Sequence, residues 1–488
     1  MVSIGSILNK YKNLWALDHV LAVSSWDNQV YMPHSAAVLR GEAVSTLMIL
    51  RKRLFEGIAN DLKVVNRNNL DEKDSAVLRI LDKTSEYYEK IPEKILENEE
   101  KIVPLSIIAW SDARAKNDPS IFYPYLEKLI EIQRIKAEKL NNAHLYDALL
   151  NLYDEGLTTS LIDSLFPSLR NGIVDIIKSI SDAGYYTKEH PLETMEYSSG
   201  EMDIVNREIM KYLGLPEDKT RLDLSTHPVT FDISGDDVRI TTRYDKSNFK
   251  KAMYSLIHES GHAMYALAID RGYDYTPISR DLSLSLHESQ SRFWECIIGR
   301  NRNFIKFIYP LLSQKLSVVN GYSEEDLYRY FNYVKPSNIR VDADEVTYNL
   351  HIMIRYEIEK KLIEGNINVN EISDIWNELT EKYLGIKVHS YSEGFLQDIH
   401  WSMGTFGYFP TYTMGNLITA LIQKNMKKDL DLDTLLSQGK LSVVKDWLKE
   451  NIQKYGGLYI SRDLIKKQLK EDYSVEPFLQ YLRGKYVG

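Results

Sequence analysis

Hydrophobic positions recur at helical spacing over most of the chain. Residues 74–90, 119–140 and 160–183 each carry apolar side chains near positions i, i+3, i+4 and i+7. Asp or Ser stands near the starts of such segments, and Gly or Pro stands near the breaks between them. The pattern predicts successive amphipathic helices over residues 1–215. Helical patterning returns at Ser247 and continues nearly to the end of the chain.

One stretch shows the alternating pattern of β-strands instead of helical spacing. Residues 229–233 and 238–244 are β-branched and alternate apolar with polar side chains, and a Ser-Gly-Asp-Asp turn at 234–237 separates them. This pattern is typical of a β-hairpin. We therefore predict a small antiparallel sheet. If Val238–Tyr244 lies at the edge of that sheet, it could hold an extended peptide by main-chain hydrogen bonds; the alternative is an ordinary strand covered by helices.

No linker rich in Pro, Gly or Ser divides the chain. We therefore expect residues 1–488 to form a single, mostly α catalytic domain. In this arrangement the helical part, residues 1–215, walls a groove that the remaining part, residues 216–488, completes.

Composition narrows the class of protein. With 44% hydrophobic and 26% charged residues, the chain can bury a sizeable core, and its net charge of -9 makes a nucleic-acid partner unexpected. A single cysteine excludes an intrachain disulfide and fits a reducing compartment. The chain shows no signal peptide and no apolar run of the roughly 20 residues that a membrane span needs. We expect a soluble, cytoplasmic protein that does not bind membranes.

The candidate chemistry lies in His258-Glu259-Ser260-Gly261-His262. On a helix, the spacing of four places both imidazoles on one face, where they can chelate one metal ion. Glu259 projects about 100° away around the helix and can reach a metal-bound water as a general base. Gly261 costs about 1 kcal/mol of helix propensity, which suggests that room is needed beside the metal.

A catalytic zinc ion takes three protein ligands and keeps one position open. No further histidine follows at short spacing, so a downstream glutamate is the expected third ligand. Glu288, Arg292 and Glu295 share one face of the next helix, at i, i+4 and i+7. Spacing alone leaves Glu288 and Glu295 both open as ligands, and either could instead pair with Arg292. Cys296, on the same apolar segment, is expected to be a small buried hydrophobe.

Several further motifs accompany the zinc pentad, in order along the chain. They are Asp237-x-Arg239-x-Thr241, His287-Glu288-Ser289-Gln290, Ile339-Arg340-x-x-Ala343-Asp344 and Gly394-x-x-Gln397-Asp398-x-His400-Trp401. Together with the stretch at 26–33, these motifs resemble those of the carboxypeptidase Taq family of zinc metallocarboxypeptidases. The matches run from residue 26 to about residue 416.

The resemblance implies that Glu288, and not Glu295, completes the ligand set with His258 and His262. It also implies an elongated, mostly helical body with a deep central groove and the small sheet beside the zinc helix, assembled as a homodimer. Two histidines and a glutamate suit zinc, although Co²⁺ or Mn²⁺ could replace it.

A carboxypeptidase must bind a free α-carboxylate, and arginine does so with two charge-assisted hydrogen bonds. Arg340 is the first candidate and Arg239 the second. The alternatives are internal pairs, Arg340 with Asp342 or Asp344 and Arg239 with Asp237. Asp344 is also a candidate for the acceptor that orients a ligand imidazole.

Attack on an amide carbonyl develops an oxyanion that side-chain donors can stabilise. His400 and Tyr412 are the candidates, with Tyr408 in reserve as a residue that contacts substrate. Gln397 belongs to the same substrate-side group, although it and Asp398 are better suited to orient neighbours than to react.

The sequence thus predicts a zinc-dependent carboxypeptidase that removes single residues from peptides with a free C-terminus. An endo-oligopeptidase or dipeptidyl carboxypeptidase on the same scaffold is the nearest alternative. A non-catalytic peptide-binding protein is the alternative from a different class.

Overall fold

A computed structural model of the protein describes residues 2–140, 143–280 and 283–488. The predicted helices are present, since the segments at 74–90, 119–140 and 160–183 all form helices within a few residues of those limits. Within the described residues the helices are α1 (Ile4–Val30), α2 (Ala37–Leu62), α3 (Glu72–Lys90), α4 (Glu93–Lys116), α5 (Tyr123–Leu140), α6 (Leu145–Tyr153), α7 (Thr159–Ala183), α8 (Ser199–Tyr212), α9 (Phe249–Ala268), α10 (Leu284–Arg292), α11 (Arg302–Lys315), α12 (Glu324–Phe331), α13 (Tyr348–Glu364), α14 (Ile372–Leu384), α15 (Pro410–Asp429), α16 (Leu432–Ser437), α17 (Leu441–Asn451), α18 (Ser461–Leu469) and α19 (Glu476–Tyr486).

The sheet has three strands, β1 (Thr220–Leu224), β2 (Thr230–Ser234) and β3 (Asp237–Thr242), in the order β1-β3-β2. The predicted hairpin is present as the antiparallel pair β2–β3, whereas β1 pairs with β3 in parallel. The expectation of a purely antiparallel sheet is therefore wrong. β1 is separated from β3 in sequence by β2 but lies directly beside it in space, and this long-range pairing makes the sheet mixed.

The order of the strands also corrects which of them is an edge. β3 is central, and its main chain is paired with neighbours on both sides. The segment Val238–Tyr244, which the sequence analysis considered as an edge, is therefore covered on both sides where it forms β3. The strand at the edge beside the metal-motif helix α9 is β2, which packs against that helix.

Helix α10 lies between α9 and α15, and a glycine on each side allows the close approach. A Cβ atom on Gly261 of α9 would lie 2.6 Å from Cα of Ser291 and 2.7 Å from the carbonyl oxygen of Gln290. A Cβ atom on Gly415 of α15 would lie 2.9 Å from Cγ of Glu288. The space beside Gly261 is thus occupied by the main chain that follows Glu288, and not by the metal position.

A π-helical segment, Phe293–Gly299, continues directly from α10 and is buried along its whole length. Cys296 lies in it, and burial raises the pKa of its thiol. The hydroxyl of Tyr481 on α19 donates to the carbonyl oxygen of Cys296 at 3.1 Å. Cys296 is the buried residue that the sequence predicts.

One buried cluster extends through most of the chain, from Ala113 on α4 to Tyr486 on α19. A smaller cluster joins α1, α2 and α3 with Ile278 and Leu458. Within the described residues, no helix combines the length and the apolar character that a membrane crossing requires.

Candidate active site

Three side chains from α9 and α10 converge on one point. Oε2 of Glu288 lies 3.6 Å from Nε2 of His258 and 3.7 Å from Nε2 of His262, and one ligand atom from each residue fits within a span of 4.8 Å. Two imidazole nitrogens and one carboxylate oxygen are the donors of a catalytic zinc site that keeps a fourth position open. The arrangement fits the metal that the sequence motif implies.

Glu295 lies on the other side of the same imidazole. Its Oε2 is 3.0 Å from Nδ1 of His258, while Glu288 faces Nε2 of that ring. Arg292 donates to Oε2 of Glu295 at 2.8 Å, and Arg300 donates to Oε1 at 3.0 Å. Burial alone would raise the pKa of Glu295, but Arg292, the His258 hydrogen bond and Arg300 hold it well below its usual range. Glu295 therefore suits the role of the acceptor that fixes the ring of His258.

His262 packs against a third imidazole. Its ring is stacked on that of His287, with centroids 4.3 Å apart and an interplanar angle of 12°. Burial lowers the pKa of His287 to about 4 and also lowers that of His262. Both rings are therefore neutral, and a neutral imidazole is the form that binds a metal.

Glu259 is buried at the junction of α9 with strand β2. The hydroxyl of Thr230 lies 2.7 Å from Oε2 of Glu259 and 2.9 Å from its carbonyl oxygen, so it can donate to either. Burial raises the pKa of Glu259, and the opposing influences of His258 and Thr230 do not cancel the rise. A carboxylate with a raised pKa beside the ligands is suited to take up and release a proton.

Arg340 belongs to a cluster of two guanidinium groups around one carboxylate. Its Nε and Nη2 donate to Oδ1 of Asp398 at 3.0 and 2.8 Å, and Nη1 donates to the hydroxyl of Tyr348 at 3.1 Å. Arg355 donates to the other oxygen, Oδ2 of Asp398, at 2.6 Å. Burial would raise the pKa of Asp398, but Arg355 and Arg340 hold it below its usual range. Two cations share one anion, so the cluster keeps one positive charge.

This pairing differs from both internal pairs considered for Arg340. Asp342 instead accepts a hydrogen bond from Lys251 at 2.6 Å. Asp344 accepts the main-chain N–H groups of Val346 and Thr347 at 2.9 and 3.0 Å. Asp344 thus shapes its own loop, and the acceptor beside a ligand imidazole is Glu295.

Arg239 is held within the sheet. Its Nε and Nη2 donate to the two oxygens of Asp237 at 2.9 and 2.7 Å, and its guanidinium lies 4.1 Å from the ring of Trp26 on α1. Arg239 is opposite Phe231 in the strand ladder, on the face away from the buried Ile240. The structure therefore places Arg239 where it fastens the sheet to α1, as in the internal pair that the sequence left open.

The side-chain amide of Gln397 is fully used by neighbouring main chain. Its Oε1 accepts the N–H of Arg340 at 2.8 Å, and its Nε2 lies 2.9 Å from the carbonyl oxygen of Asn338 and 2.7 Å from that of Glu393. These contacts fix the backbone at Arg340. Gln397 therefore positions the arginine.

His400, Tyr408 and Tyr412 form one aromatic cluster. The ring of His400 lies 5.4 Å from that of Tyr408 and 6.4 Å from that of Tyr412, and the two tyrosine rings are 5.3 Å apart. Burial lowers the pKa of His400 to about 4 and raises that of Tyr412 well above its usual value, so both are neutral donors at neutral pH. Tyr412 lies three residues before Gly415 on α15, and a Cβ atom on Gly415 would lie 2.9 Å from Cγ of Glu288, so the cluster is near the ligand set.

Helix α13 carries residues of this site that the sequence patterns did not single out. It is buried along nearly its whole length, yet it carries Tyr348, Arg355 and Glu359, and the last two are 0% exposed. The first two contact the Arg340–Asp398 cluster. Their spacing of seven and four residues puts all three on one helix face. Charged residues at core positions of an otherwise apolar helix are the signal that could have revealed them.

A family model for the carboxypeptidase Taq (M32) metallopeptidases matches residues 6–486 of the chain. The chain belongs to that family. Thermostable carboxypeptidase 1 of Pyrococcus furiosus is an M32 relative that is 38% identical over 491 residues, covering 99% of this chain and 98% of the relative. Carboxypeptidase 1 of Bacillus subtilis is 34% identical, with 97% and 96% of the two chains covered.

Solved M32 structures share the fold over the full length. A structure of the Pyrococcus furiosus carboxypeptidase superimposes with a TM-score of 0.96 and covers 99% of this chain and 98% of that one. Metallocarboxypeptidase 1 of Trypanosoma cruzi, at 29% identity, superimposes with a TM-score of 0.92 and 99% coverage of both chains. The elongated helical metallopeptidase fold predicted from the sequence is thereby confirmed.

Proposed function

We propose that the protein is a zinc-dependent metallocarboxypeptidase that releases single amino acids from the C-terminus of peptides. The observation that carries this proposal is the surplus positive charge of Arg340, Arg355 and Asp398 close to the metal ligands. Tyr348 joins the two regions, because its hydroxyl accepts from Arg340 and its ring lies 5.2 Å from the guanidinium of Arg292. Arg292 in turn binds Glu295, the partner of His258.

Arg340 is the residue that binds the substrate carboxylate. A guanidinium group has five N–H bonds, and the hydrogen bonds to described residues use Nε and one N–H of each terminal nitrogen. One N–H on each terminal nitrogen is left for a ligand. A substrate carboxylate bound there would neutralise the charge that Asp398 leaves uncompensated.

The ligands His258, His262 and Glu288 would hold a zinc ion, which supplies a polarised carbonyl and an acidified water. With the metal bound, Glu259 would accept a proton from the attacking water and donate it to the departing amine. His400 and Tyr412 donate toward the oxyanion, with Tyr408 beside them. The edge strand β2, next to Glu259, can hold the extended peptide by main-chain hydrogen bonds.

Finer features belong to the same proposal. Zinc suits two histidines and a glutamate, with Co²⁺ or Mn²⁺ as substitutes. The family resemblance supports a homodimer and one catalytic domain over residues 1–488, and a single buried cysteine fits a cytoplasmic, reducing location.

The test is the digestion of one peptide, prepared with a free and with an amidated C-terminus. The wild-type protein should release residues one at a time from the free form only, and a chelator should stop the release. An endo-oligopeptidase would cleave both forms, and a dipeptidyl carboxypeptidase would release pairs of residues.

Glu259→Gln tests the assigned base. The variant should retain its metal, because Glu259 is not a ligand, while turnover falls by roughly two to four orders of magnitude. Glu127→Gln, at an exposed position of α5, is the matched control and should behave as wild type. Retained activity in Glu259→Gln would remove this mechanism.

A further inference from the structure

One carboxylate holds both ends of the loop between His400 and Tyr408. Oε1 of Glu359 accepts the indole N–H of Trp401 at 2.6 Å, and Oε2 accepts the main-chain N–H of Gly407 at 3.0 Å. Trp401 directly follows His400 in the chain, and Gly407 directly precedes Tyr408. The side chain of Glu359 is therefore bound to the immediate neighbours of two residues assigned to the site.

Helix α6 also packs closely against this loop. Gly407 has φ +89°, and a Cβ atom there would lie 2.7 Å from the carbonyl carbon of Leu149 on α6. The hydroxyl of Tyr146, also on α6, donates to Oε2 of Glu359 at 2.5 Å. The ring of Tyr153, at the end of α6, contacts that of Tyr408 edge-on at 5.3 Å. Glu359 thus lies between α6 and the loop and is hydrogen-bonded to both.

We propose that Glu359 is a positioning residue that, as an ionised carboxylate, fixes His400 and Tyr408 through Trp401 and Gly407. The inference rests on the proposed function, because it assigns Glu359 an effect on residues of that site. All three partners donate, so an ionised carboxylate satisfies them all. A protonated Glu359 must itself donate, and neither the indole nor the main-chain N–H can accept. Protonation of Glu359 therefore removes one of the hydrogen bonds that hold the loop, unless the Tyr146 hydroxyl turns to accept the new proton instead of donating its own.

This positioning gives the activity a dependence on pH near neutrality. Burial raises the pKa of Glu359 to about 7, against the hydrogen bonds from Tyr146, Gly407 and Trp401 and the charge of Arg355. The titratable groups that face Glu359 are Tyr146 and Tyr153 of α6 and Arg355 of α13. Both tyrosines have raised pKa values and stay neutral. Glu359 is half protonated at its pKa of about 7, so the loop is held at higher pH and loosens as the pH falls through 7.

The experiment measures kcat and KM of the zinc-loaded enzyme across the neutral pH range, together with hydrogen exchange at the amide of Gly407. Glu359→Gln should lower kcat by roughly tenfold or more with little change in KM, and should remove the acid limb of the profile. The glutamine side chain keeps only one acceptor oxygen, so either the Gly407 amide or the Trp401 indole N–H loses its partner and should exchange faster. Glu357→Gln, the same substitution at a partly exposed position of α13, should match wild type in every measurement.

Tyr146→Phe is the second variant and preserves the packing of a fully buried ring. It removes a hydrogen bond that lowers the pKa of Glu359, so the acid limb should move to higher pH; a change in packing alone would not move it. An unmoved limb in Tyr146→Phe, or wild-type kcat and exchange in Glu359→Gln, overturns the inference. If the wild-type enzyme releases no C-terminal residue, the proposed function fails instead, and the exchange of Gly407 still tests the role of Glu359 separately.

Discussion

At the scale of single residues, charge balance separates the two candidate arginines. Arg239 forms a bidentate pair with one carboxylate, Asp237, so the pair has no surplus charge to offer. Arg340 shares Asp398 with Arg355, and the pair keeps one positive charge in a buried place. Asp398 alone does not neutralise both guanidinium groups, which makes this site suited to an anionic ligand.

Arg340→Gln should therefore abolish the distinction between free and amidated C-termini. Losing one or two hydrogen bonds to a charged group, each worth about 1.5–3 kcal/mol, should raise KM for the free peptide by roughly tenfold to ten-thousandfold. Asp398 stays paired with Arg355, so the fold should survive. The measurement is kcat/KM on both peptide forms, with Arg239→Gln as the control that should keep the preference for the free form. Equal discrimination in the two variants would contradict the assignment of Arg340.

The residue scale also shows what spacing can and cannot determine. The i, i+4 histidines follow from helical geometry, and the structure brings them together. Glu288 and Glu295 cannot be separated by the same reasoning, because seven residues make nearly two full turns. Both acids do reach His258, one at Nε2 and the other at Nδ1. Only the position of the ring between them distinguishes a ligand from its supporting acceptor.

At the scale of elements, the ligand set depends on how closely α10 approaches α9. Their main chains meet at Gly261, where any Cβ atom would be within 2.7 Å of main-chain atoms of Gln290 and Ser291. Main chain cannot move aside as a flexible side chain can. The distance between the two histidines and Glu288 is therefore set by a glycine that binds nothing itself.

Gly261→Ala should destabilise the protein by about 1–3 kcal/mol, as overpacking does, although alanine is the better helix former. It should also weaken zinc binding, because α10 would move away from α9 and carry Glu288 with it. Thermal unfolding and competition with a zinc chelator measure the two effects. Gly57→Ala, in α2 with no neighbouring atom within 4 Å, is the control and should be neutral or stabilising. Unchanged zinc affinity in Gly261→Ala would show that the packing does not set the ligand geometry.

The elements differ in how far a sequence can predict them. Amphipathic helices such as α3 and α7 follow from local periodicity, and so does the hairpin of β2 and β3. The parallel pairing of β1 with β3 joins segments with another strand between them, and no local pattern encodes it. The roles of the buried charged residues on α13 could not be predicted, for a related reason. These residues face partners far away in sequence, so their purpose is visible only after folding.

At the scale of the whole molecule, the metal site lies within the large buried cluster that spans from α4 to α19. Helices from both sides of the predicted boundary near residue 215 contribute to this cluster, including α7 and α15. The two parts therefore share one core and should not unfold separately.

Removing the metal should accordingly lower the stability of the molecule as a whole. A ligand that binds only the folded state stabilises it in proportion to the logarithm of its concentration over Kd. Calorimetry should show one unfolding transition, whose midpoint falls by several degrees with a chelator and recovers when zinc is added in excess. Two separate transitions, or a midpoint insensitive to the metal, would contradict a shared core built around the site.

The buried position of Cys296 has a practical consequence for labelling. It is the one cysteine of the chain, it lies inside the π-helical segment, and burial disfavours its reactive thiolate. Thiol reagents should therefore leave the native protein unmodified, so no cysteine-free background is needed. A cysteine introduced at an exposed position, such as Leu39 on α2 with 72% exposure, would take a fluorophore or spin label at a single known place.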